Sequence, residues 1–239
     1  MPNSLRIGLV LPDVLGTYGD DGNALVLRQR ARMRGIRAEI ERFCLNDEIA
    51  PDCDVYTIGG GEDSAQVIAA ARLAASPGLQ AAASAGRPIF AVCAGMQVLG
   101  RTFTAHGNIV EGIGLIDATT TAMGTRAIGE VASLPTRAGA TAELTEPLTG
   151  FENHMGGTVI GPDAHALGTV KNGVGNTTGA AVEGVVQGSV IATYMHGPAL
   201  ARNPQLADLL LSRALDVRLE ELEPLELTLI DRLRMERLR

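Results

Sequence analysis

Pro88-Ile89-Phe90-Ala91-Val92-Cys93-Ala94-Gly95-Met96-Gln97 is a short, β-rich apolar run that stops at a cysteine and passes through small residues into a helix-capable stretch. That order predicts a strand, a tight turn and a helix. The turn lifts the sulfur above a sheet edge, and the N-terminus of the following helix places partial positive charge beside it. Thiolate is the nucleophilic form of cysteine, and such a setting favours it. The layout parallels the strained serine elbow of α/β-hydrolases, with Cys93 in place of serine.

A cysteine after a strand is more often a small core hydrophobe than a nucleophile. Two further segments raise this one. Val190-Ile191-Ala192-Thr193 is another apolar run and ends in Tyr194-Met195-His196-Gly197, which offers a base. Val55-Tyr56-Thr57-Ile58 is followed by Gly59-Gly60-Gly61, which offers backbone N–H groups. Nucleophile, base and oxyanion donors all fall at the C-terminal ends of predicted strands, the edge at which open α/β sheets bind ligands.

Outward from the elbow, the first half alternates strand and helix. Strands are expected at 6–11, 36–43, 55–58 and 88–92. Helices are expected at 25–34 (stopped by Gly35), 63–75 (broken by Ser76-Pro77-Gly78) and 95–102. Strands separated by helices imply right-handed crossovers and a mostly parallel central sheet flanked by helices, an α/β fold. From about 109 to 194, short Val/Ile/Thr runs punctuated by Gly, Asn and Pro read as hairpins added to the same sheet. Residues 203–215 return to helix. The tail, 219–239, mixes Leu with Glu and Arg, and Leu225, Leu229, Leu233 and Leu238 suggest one helical stripe. Packing of that stripe on its own domain is the simpler expectation, and docking on a partner the sharper one. No linker divides the 1–239 chain.

Composition limits the function. A chain of 239 residues, 46% hydrophobic, suits one globular domain. The formal charge is −7 and Lys171 is the sole lysine, so a general nucleic-acid binder is not expected. Cys44, Cys53 and Cys93 are too few and too scattered for a disulfide framework, and no C-x-x-C pair suggests a metal site. Met1-Pro2-Asn3-Ser4 begins no charged and apolar leader, and no run reaches the ~18 apolar residues of a membrane span. A cytoplasmic protein is expected.

Cys93-Ala94-Gly95-Met96-Gln97 matches the C-x-G-x-Q pattern of class I, or triad-type, glutamine amidotransferases, and Gly59-Gly60-Gly61 and His196 lie where that family has its oxyanion strand and catalytic histidine. The resemblance covers roughly residues 6 to 215. It is closest to the cobyric-acid-synthase-like branch and, within it, to GatD-type glutaminase subunits. Thr17-Tyr18-Gly19-Asp20-Asp21-Gly22-Asn23, Gly59-Gly60-Gly61-Glu62-Asp63, Gly150-Phe151-Glu152-Asn153-His154 and Tyr194-Met195-His196-Gly197 carry the finer match. The resemblance implies a three-layer, flavodoxin-like fold. It also implies a heterodimer in which a Mur-ligase-like partner uses released ammonia to amidate the D-glutamate of lipid II.

Glutamine hydrolysis assigns roles to these residues. Cys93 attacks the side-chain amide carbon, and His196 serves as base and then as acid. The N–H groups of Gly60 and Ala94 are the expected oxyanion donors. Gln97, about one helical turn past Cys93, faces the same pocket and binds the polar end of glutamine, as the resemblance suggests; otherwise it is a solvent-facing polar residue. Arg126 is chosen for the substrate α-carboxylate, because a guanidinium fork matches its geometry. His154 and Glu152 are supporting candidates, and His106 and His165 are expected to be exposed structural histidines. Many family members carry an acid two residues past the histidine, but here the chain reads His196-Gly197-Pro198. The tautomer is then set by a backbone carbonyl, by a remote acid such as Glu152, or by a partner residue.

The chain has no G-x-x-x-x-G-K-[ST] phosphate loop, so no cofactor is expected on it. Amide synthesis needs activation of a carboxylate, and ATP and Mg are expected on the partner. Corrinoid amidases of the branch usually carry that machinery on the same chain. The competing readings are a stand-alone cysteine hydrolase (γ-glutamyl hydrolase or peptidase-like), a glutaminase for corrinoid amidation, and a binding module that has lost activity.

Overall fold

The computed structural model describes residues 4–238; Met1 to Asn3 of the N-terminal stretch and Arg239 of the tail lie outside the described residues. In chain order the strands are β1 (Ser4–Val10), β2 (Arg37–Phe43), β3 (Val55–Ile58), β4 (Ile89–Val92), β5 (Thr102–Ala105), β6 (Asn108–Glu111), β7 (Ala118–Pro135), β8 (Leu148–Ile160), β9 (Gly168–Asn172), β10 (Val182–Glu183), β11 (Val185–Gln187) and β12 (Val190–Thr193). The α-helices are α1 (Gly22–Met33), α2 (Asp63–Ala75), α3 (Gly78–Ser84), α4 (Ala94–Leu99), α5 (Ala199–Arg202), α6 (Pro204–Ala214) and α7 (Thr228–Arg237).

The main sheet runs β11-β12-β4-β3-β1-β2, parallel throughout except for the β11–β12 pair. Its centre is written in the sequence. Each residue of β3, β4 and β12 is buried, as expected of short apolar strands covered on both faces. The edge strand β2 is mixed instead, with Ala38 and Phe43 buried and Arg37, Glu39 and Arg42 exposed. The step from β1 to β2 goes towards one edge and the step from β3 to β4 towards the other. Right-handed crossovers therefore put α1 and α2 on opposite faces and leave a switch point between β1 and β3. Helices α1 and α6 pack together and are locked by Arg30, whose Nε and Nη2 donate to the two oxygens of Asp208 at 2.7 and 2.6 Å.

The region 109–194 does not simply extend this sheet. Strands β5 to β10 form a second, largely antiparallel six-stranded sheet, and only β11 and β12 return to the first. The cause is length and burial pattern. The 18-residue β7 alternates buried and exposed positions over much of its course, which suits a sheet with one wet face. Buried residues of both sheets still belong to one contiguous core.

Three local departures have plain causes. Ser76-Pro77-Gly78 ends α2 as expected, but Pro77 then leads directly into α3. Helix α4 stops at Leu99 because Gly100 is extended (φ −69°, ψ −175°) and Thr102 already opens β5. In the tail, Leu229 and Leu233 point outward, at 70% and 53% exposure. The tail helix is held by arginines instead, with Arg234 Nη1 2.7 Å from Glu146 and Arg237 Nη1 2.5 Å from Glu130. Among the described residues no helix is long and apolar enough to cross a membrane.

Candidate active site

Cys93 sits between β4 and α4 with φ 52° and ψ −109°, a backbone conformation that side chains disfavour and functional turns retain. Two backbone bonds hold it there. Its N–H donates to Thr193 O at 2.8 Å on neighbouring β12, and its carbonyl accepts from Gln97 N at 3.1 Å in α4. The register Thr193↔Val92 places the segment after β12 alongside the elbow. That segment carries His196, whose backbone is clamped to β8 by His196 N to Phe151 O at 3.0 Å and Phe151 N to His196 O at 3.2 Å.

The imidazole Nδ1 lies 3.1 and 3.0 Å from Oδ1 and Oδ2 of Asp20. Asp20 lies in the loop after β1, on one side of the switch point. Its Oδ2 also accepts the N–H of Gly60, at 3.0 Å, from the loop after β3. Segments far apart in the chain are knitted at the same place: Asn23 Oδ1 accepts Leu200 N–H at 2.9 Å. Gly22 lies so close to the Pro198 ring that a Cβ there would sit 2.2 Å from Cγ. A Cβ on Gly60 would sit 3.0 Å from His196 Cε1, 3.2 Å from Asp20 Oδ2 and 3.3 Å from Cys93 Cβ. Thiol, imidazole and carboxylate therefore surround one glycine, and any side chain there would push them apart.

Burial pulls the His196 imidazole towards its neutral form. The hydrogen bond with Asp20, the nearby Cys93 sulfur and the charges of both outweigh burial and push its pKa up to about 10. With Nδ1–H held by Asp20, Nε2 is the ring atom left for the sulfur and the substrate. Among the described residues that buried Nε2 has no hydrogen-bond partner of its own.

Two sequence expectations are corrected. The acid beside His196 is Asp20, not Glu152. Both oxygens of Glu152 are occupied elsewhere, by Val174 N–H at 2.7 Å and Gly175 N–H at 2.8 Å, and it faces His154 at 3.9 Å. Burial opposes its charge, yet His154 and those two N–H groups hold the carboxyl below its usual range. Gly60 does not turn its N–H to the substrate space, because that N–H is spent on Asp20; the next residue, Gly61, lines the cavity.

A cavity of about 510 Å³ opens over Cys93, lined among others by Tyr18, Glu62, Gln97, Arg126 and His154. Gln97 is buried and donates from Nε2 to Tyr194 Oη at 3.0 Å. Tyr194 is in turn 2.8 Å from Thr158 Oγ1, which is 2.8 Å from Thr120 Oγ1. His154 stacks on Tyr194 with centroids 3.6 Å apart and planes at 9°, so it shapes the wall. Beneath it, buried Glu183 accepts from Thr193 Oγ1 at 2.5 Å and from Tyr194 N–H at 2.9 Å, and burial pushes its carboxyl up to about 7. Arg126 is at the rim, with Nη1 donating to Asn153 Oδ1 at 2.6 Å. Tyr18 lies over His196, centroids 5.0 Å apart, and donates its hydroxyl to Glu62.

His106 is an exposed structural histidine, as expected. It also lines the cavity. Its Nε2 is 3.0 Å from Ser64 Oγ, and its backbone N–H donates to Asp63 at 2.8 Å, which pins the β5–β6 turn to the start of α2. His165 is exposed at the surface, as expected. Among the described residues no group of three or more His, Cys, Asp or Glu side chains is placed to hold a metal ion.

Residues 6–204 match the model of the CobB/CobQ-like glutamine amidotransferase domain. The chain belongs to that family. The GatD subunit of lipid II isoglutaminyl synthase (glutamine-hydrolyzing) from Staphylococcus aureus is 33% identical, over 94% of this chain and 90% of that protein. Its counterpart from Streptococcus pneumoniae is 33% identical over 90% of this chain and 82% of that protein. A probable cobyric acid synthase from Methanothermobacter thermautotrophicus is 35% identical, but over 46% of this chain and 23% of that protein. The glutaminase domain of Trypanosoma brucei CTPS, with bound acivicin, superposes with a TM-score of 0.57 at 14% identity, covering 90% of this chain and 95% of that one. A glutamine amidotransferase from Thermotoga maritima gives 0.52 at 14% identity, covering 98% of this chain and 93% of that one. The family and these superpositions agree on the class I amidotransferase fold that the resemblance implied.

Proposed function

We propose that this protein is a glutaminase subunit, which hydrolyses L-glutamine to glutamate at Cys93 and passes ammonia to a second, ATP-using chain. The observation that carries the reading is the convergence of Cys93, in its positive-φ turn, with His196 and Asp20 around Gly60. The raised His196 favours an imidazolium beside the sulfur, poised to give its proton to a leaving group.

The chemistry follows from those positions. The Cys93 thiolate attacks the amide carbon of glutamine, and the oxyanion is received by the Ala94 N–H with support from the Gly61 edge of the cavity. His196 Nε2 gives its proton to the departing nitrogen, which leaves as ammonia from a thioester. A water then attacks the thioester, His196 takes its proton, and the thiolate is released with glutamate. Asp20 keeps Nδ1–H fixed and stabilises the imidazolium in both halves. Gln97, oriented by Tyr194, contacts the polar end of the substrate, and Arg126 takes its α-carboxylate.

Full-length similarity to two GatD subunits supports lipid II as the destination, with a Mur-ligase-like partner that amidates its D-glutamate to D-isoglutamine in peptidoglycan synthesis. The cobyric acid synthase similarity covers 46% of this chain, against 94% and 90% for the two GatD subunits, which favours the lipid II reading over corrinoid amidation. ATP and Mg would act on the partner, since this sequence has no phosphate loop. A cytoplasmic location fits a step that consumes ATP. The test is glutamine-dependent ammonia release by the purified chain, followed by amidation of lipid II when a Mur-ligase-like partner, ATP and Mg are added. Ammonia release without any amidation by the pair would favour the stand-alone hydrolase.

A further inference from the structure

A fully buried carboxyl group needs a reason, because burial opposes its charge and leaves its oxygens dependent on protein donors. Glu183 is such a group, and the chemistry at Cys93 does not touch it. It closes β10 in the second sheet, where it pairs with Gly168 of β9. Two residues later Val185 already pairs with Ala192 in the main sheet. Gly184 alone makes the crossing, with φ 70° and so little room that a Cβ would sit 2.5 Å from Ala192 O. Buried Asn176 clamps it from both sides, accepting Gly184 N–H at 2.6 Å and donating to Gly184 O at 3.0 Å. The crossing is thus rigid, and it aims Glu183 at the end of β12.

There one oxygen does all the bonding. Glu183 Oε1 accepts the Thr193 hydroxyl at 2.5 Å and Tyr194 N–H at 2.9 Å, while Oε2 is buried without a partner. Thr193 passes the constraint on in two directions. Its carbonyl accepts Cys93 N–H at 2.8 Å, and its Oγ1 accepts Met195 N–H at 3.0 Å, one residue before His196. We propose that Glu183 is a positioning residue for both members of the reacting pair: through Thr193 and Tyr194 it fixes the Cys93 turn and the path by which His196 reaches it. The inference rests on the glutaminase reading and deepens it, by adding a residue from the second sheet to the machinery of the first.

The experiment uses the full-length chain with Glu183→Gln, Glu183→Met and Thr193→Val. Gln keeps the accepting oxygen but buries an amide nitrogen where Oε2 has no partner, so it should lower the melting temperature and leave kcat within about fivefold. Met keeps the chain length and loses both accepted bonds. A displacement of about 1 Å by a change away from the chemistry can cost ~10²-fold in rate, so kcat per folded molecule should fall by about that factor while KM stays within about fivefold. Thr193→Val loses only the hydroxyl and should cost about tenfold, and combining it with Glu183→Met should add little, since both act through one chain of bonds. The ¹⁵N NMR signals of the His196 ring, assigned by their loss in His196→Asn, should shift in Glu183→Met and hold in Glu183→Gln. A folded Glu183→Met with kcat within threefold of wild type and an unmoved His196 signal would overturn the proposal and leave the glutaminase intact. If Glu183→Met does not fold, wild-type kcat in Thr193→Val overturns it instead. Absence of ammonia release in the wild type, alone and with its ligase partner, would remove the glutaminase reading, and the His196 signal would still decide whether Glu183 sets the imidazole.

Discussion

Asp20 and His196 are separated by 176 positions in the chain and by 3.0 Å in space. The contact makes the imidazole directional. An N–H fixed on a carboxylate leaves the opposite nitrogen to face the sulfur, and the acid sits on the far side of a sheet switch point from the loops that carry Cys93 and His196. Asp20→Asn should therefore lower kcat/KM for glutamine by on the order of 10²- to 10⁴-fold, the range of an oriented acid–base group. The fold should persist by circular dichroism. A loss below threefold would assign the orienting role elsewhere.

The same contact makes stability depend on pH. His196 is raised to about 10 in the folded protein. A group raised above its unfolded value of about 6.5 stabilises the fold fully below that value, and the contribution disappears as pH rises through the folded value. The stability gap between wild type and Asp20→Asn should be wide near pH 6.5 and should close towards pH 10. Urea denaturation at both ends of the window measures it, and a gap that widened with pH would contradict the assignment.

Replacement of Cys93 by Ser or Ala should abolish ammonia release without unfolding the chain. The turn adds a second expectation. At φ 52° a side chain is strained and glycine is not, so Cys93→Gly should be more stable than Cys93→Ala by about 1 kcal/mol. Chemical denaturation of the two inactive variants tests this. An alanine variant as stable as the glycine one would mean that the turn stores no strain.

A glutamine-like electrophile such as diazo-oxo-norleucine should label Cys93 and spare the other two cysteines. Burial pushes the Cys53 thiol up to about 11, which keeps it protonated and inert. Cys44 is half-buried, outside the cavity. Peptide mapping that put most of the adduct on Cys44 or Cys53 would displace Cys93 as the nucleophile.

The elbow, the parallel core and the cysteine–histidine pair were legible because each is local. Ile89–Val92 and Val190–Thr193 are continuous apolar runs, and each delivers its reactive residue within three positions of its end. Asp20 was not legible. It is one of 27 acids, sits before a helix where an acid reads as a cap, and meets His196 only after the crossovers have folded. The second sheet was missed for a related reason. Short runs broken by glycine look alike whether their partners lie in one sheet or another, and only the length of β7 separates them. The alternative use of Gly60 depends on which carboxylate its N–H meets, a long-range fact of the same kind.

Docking of a partner should act on the rim of the cavity and not on the imidazole. An acid missing beside His196 would make ordering of the ring a natural task for a second chain, with docking raising turnover by that route. Asp20 already performs that task within the chain, at hydrogen-bond distance and in a buried setting. The isolated protein should therefore release ammonia from glutamine measurably on its own. What docking can still change is the exposed rim, where Arg126 and Glu62 meet solvent. Ordering of that rim acts on substrate binding, so the ligase-like partner should improve glutaminase kcat/KM chiefly through KM, by up to roughly tenfold if it secures one further charged contact. The check is steady-state kinetics of the chain alone and of the reconstituted pair at equal concentration, with complex formation followed by size-exclusion chromatography. An inactive isolated chain whose kcat rises on docking would show that the imidazole or the elbow is completed from outside, and Asp20 would then be a structural contact of His196.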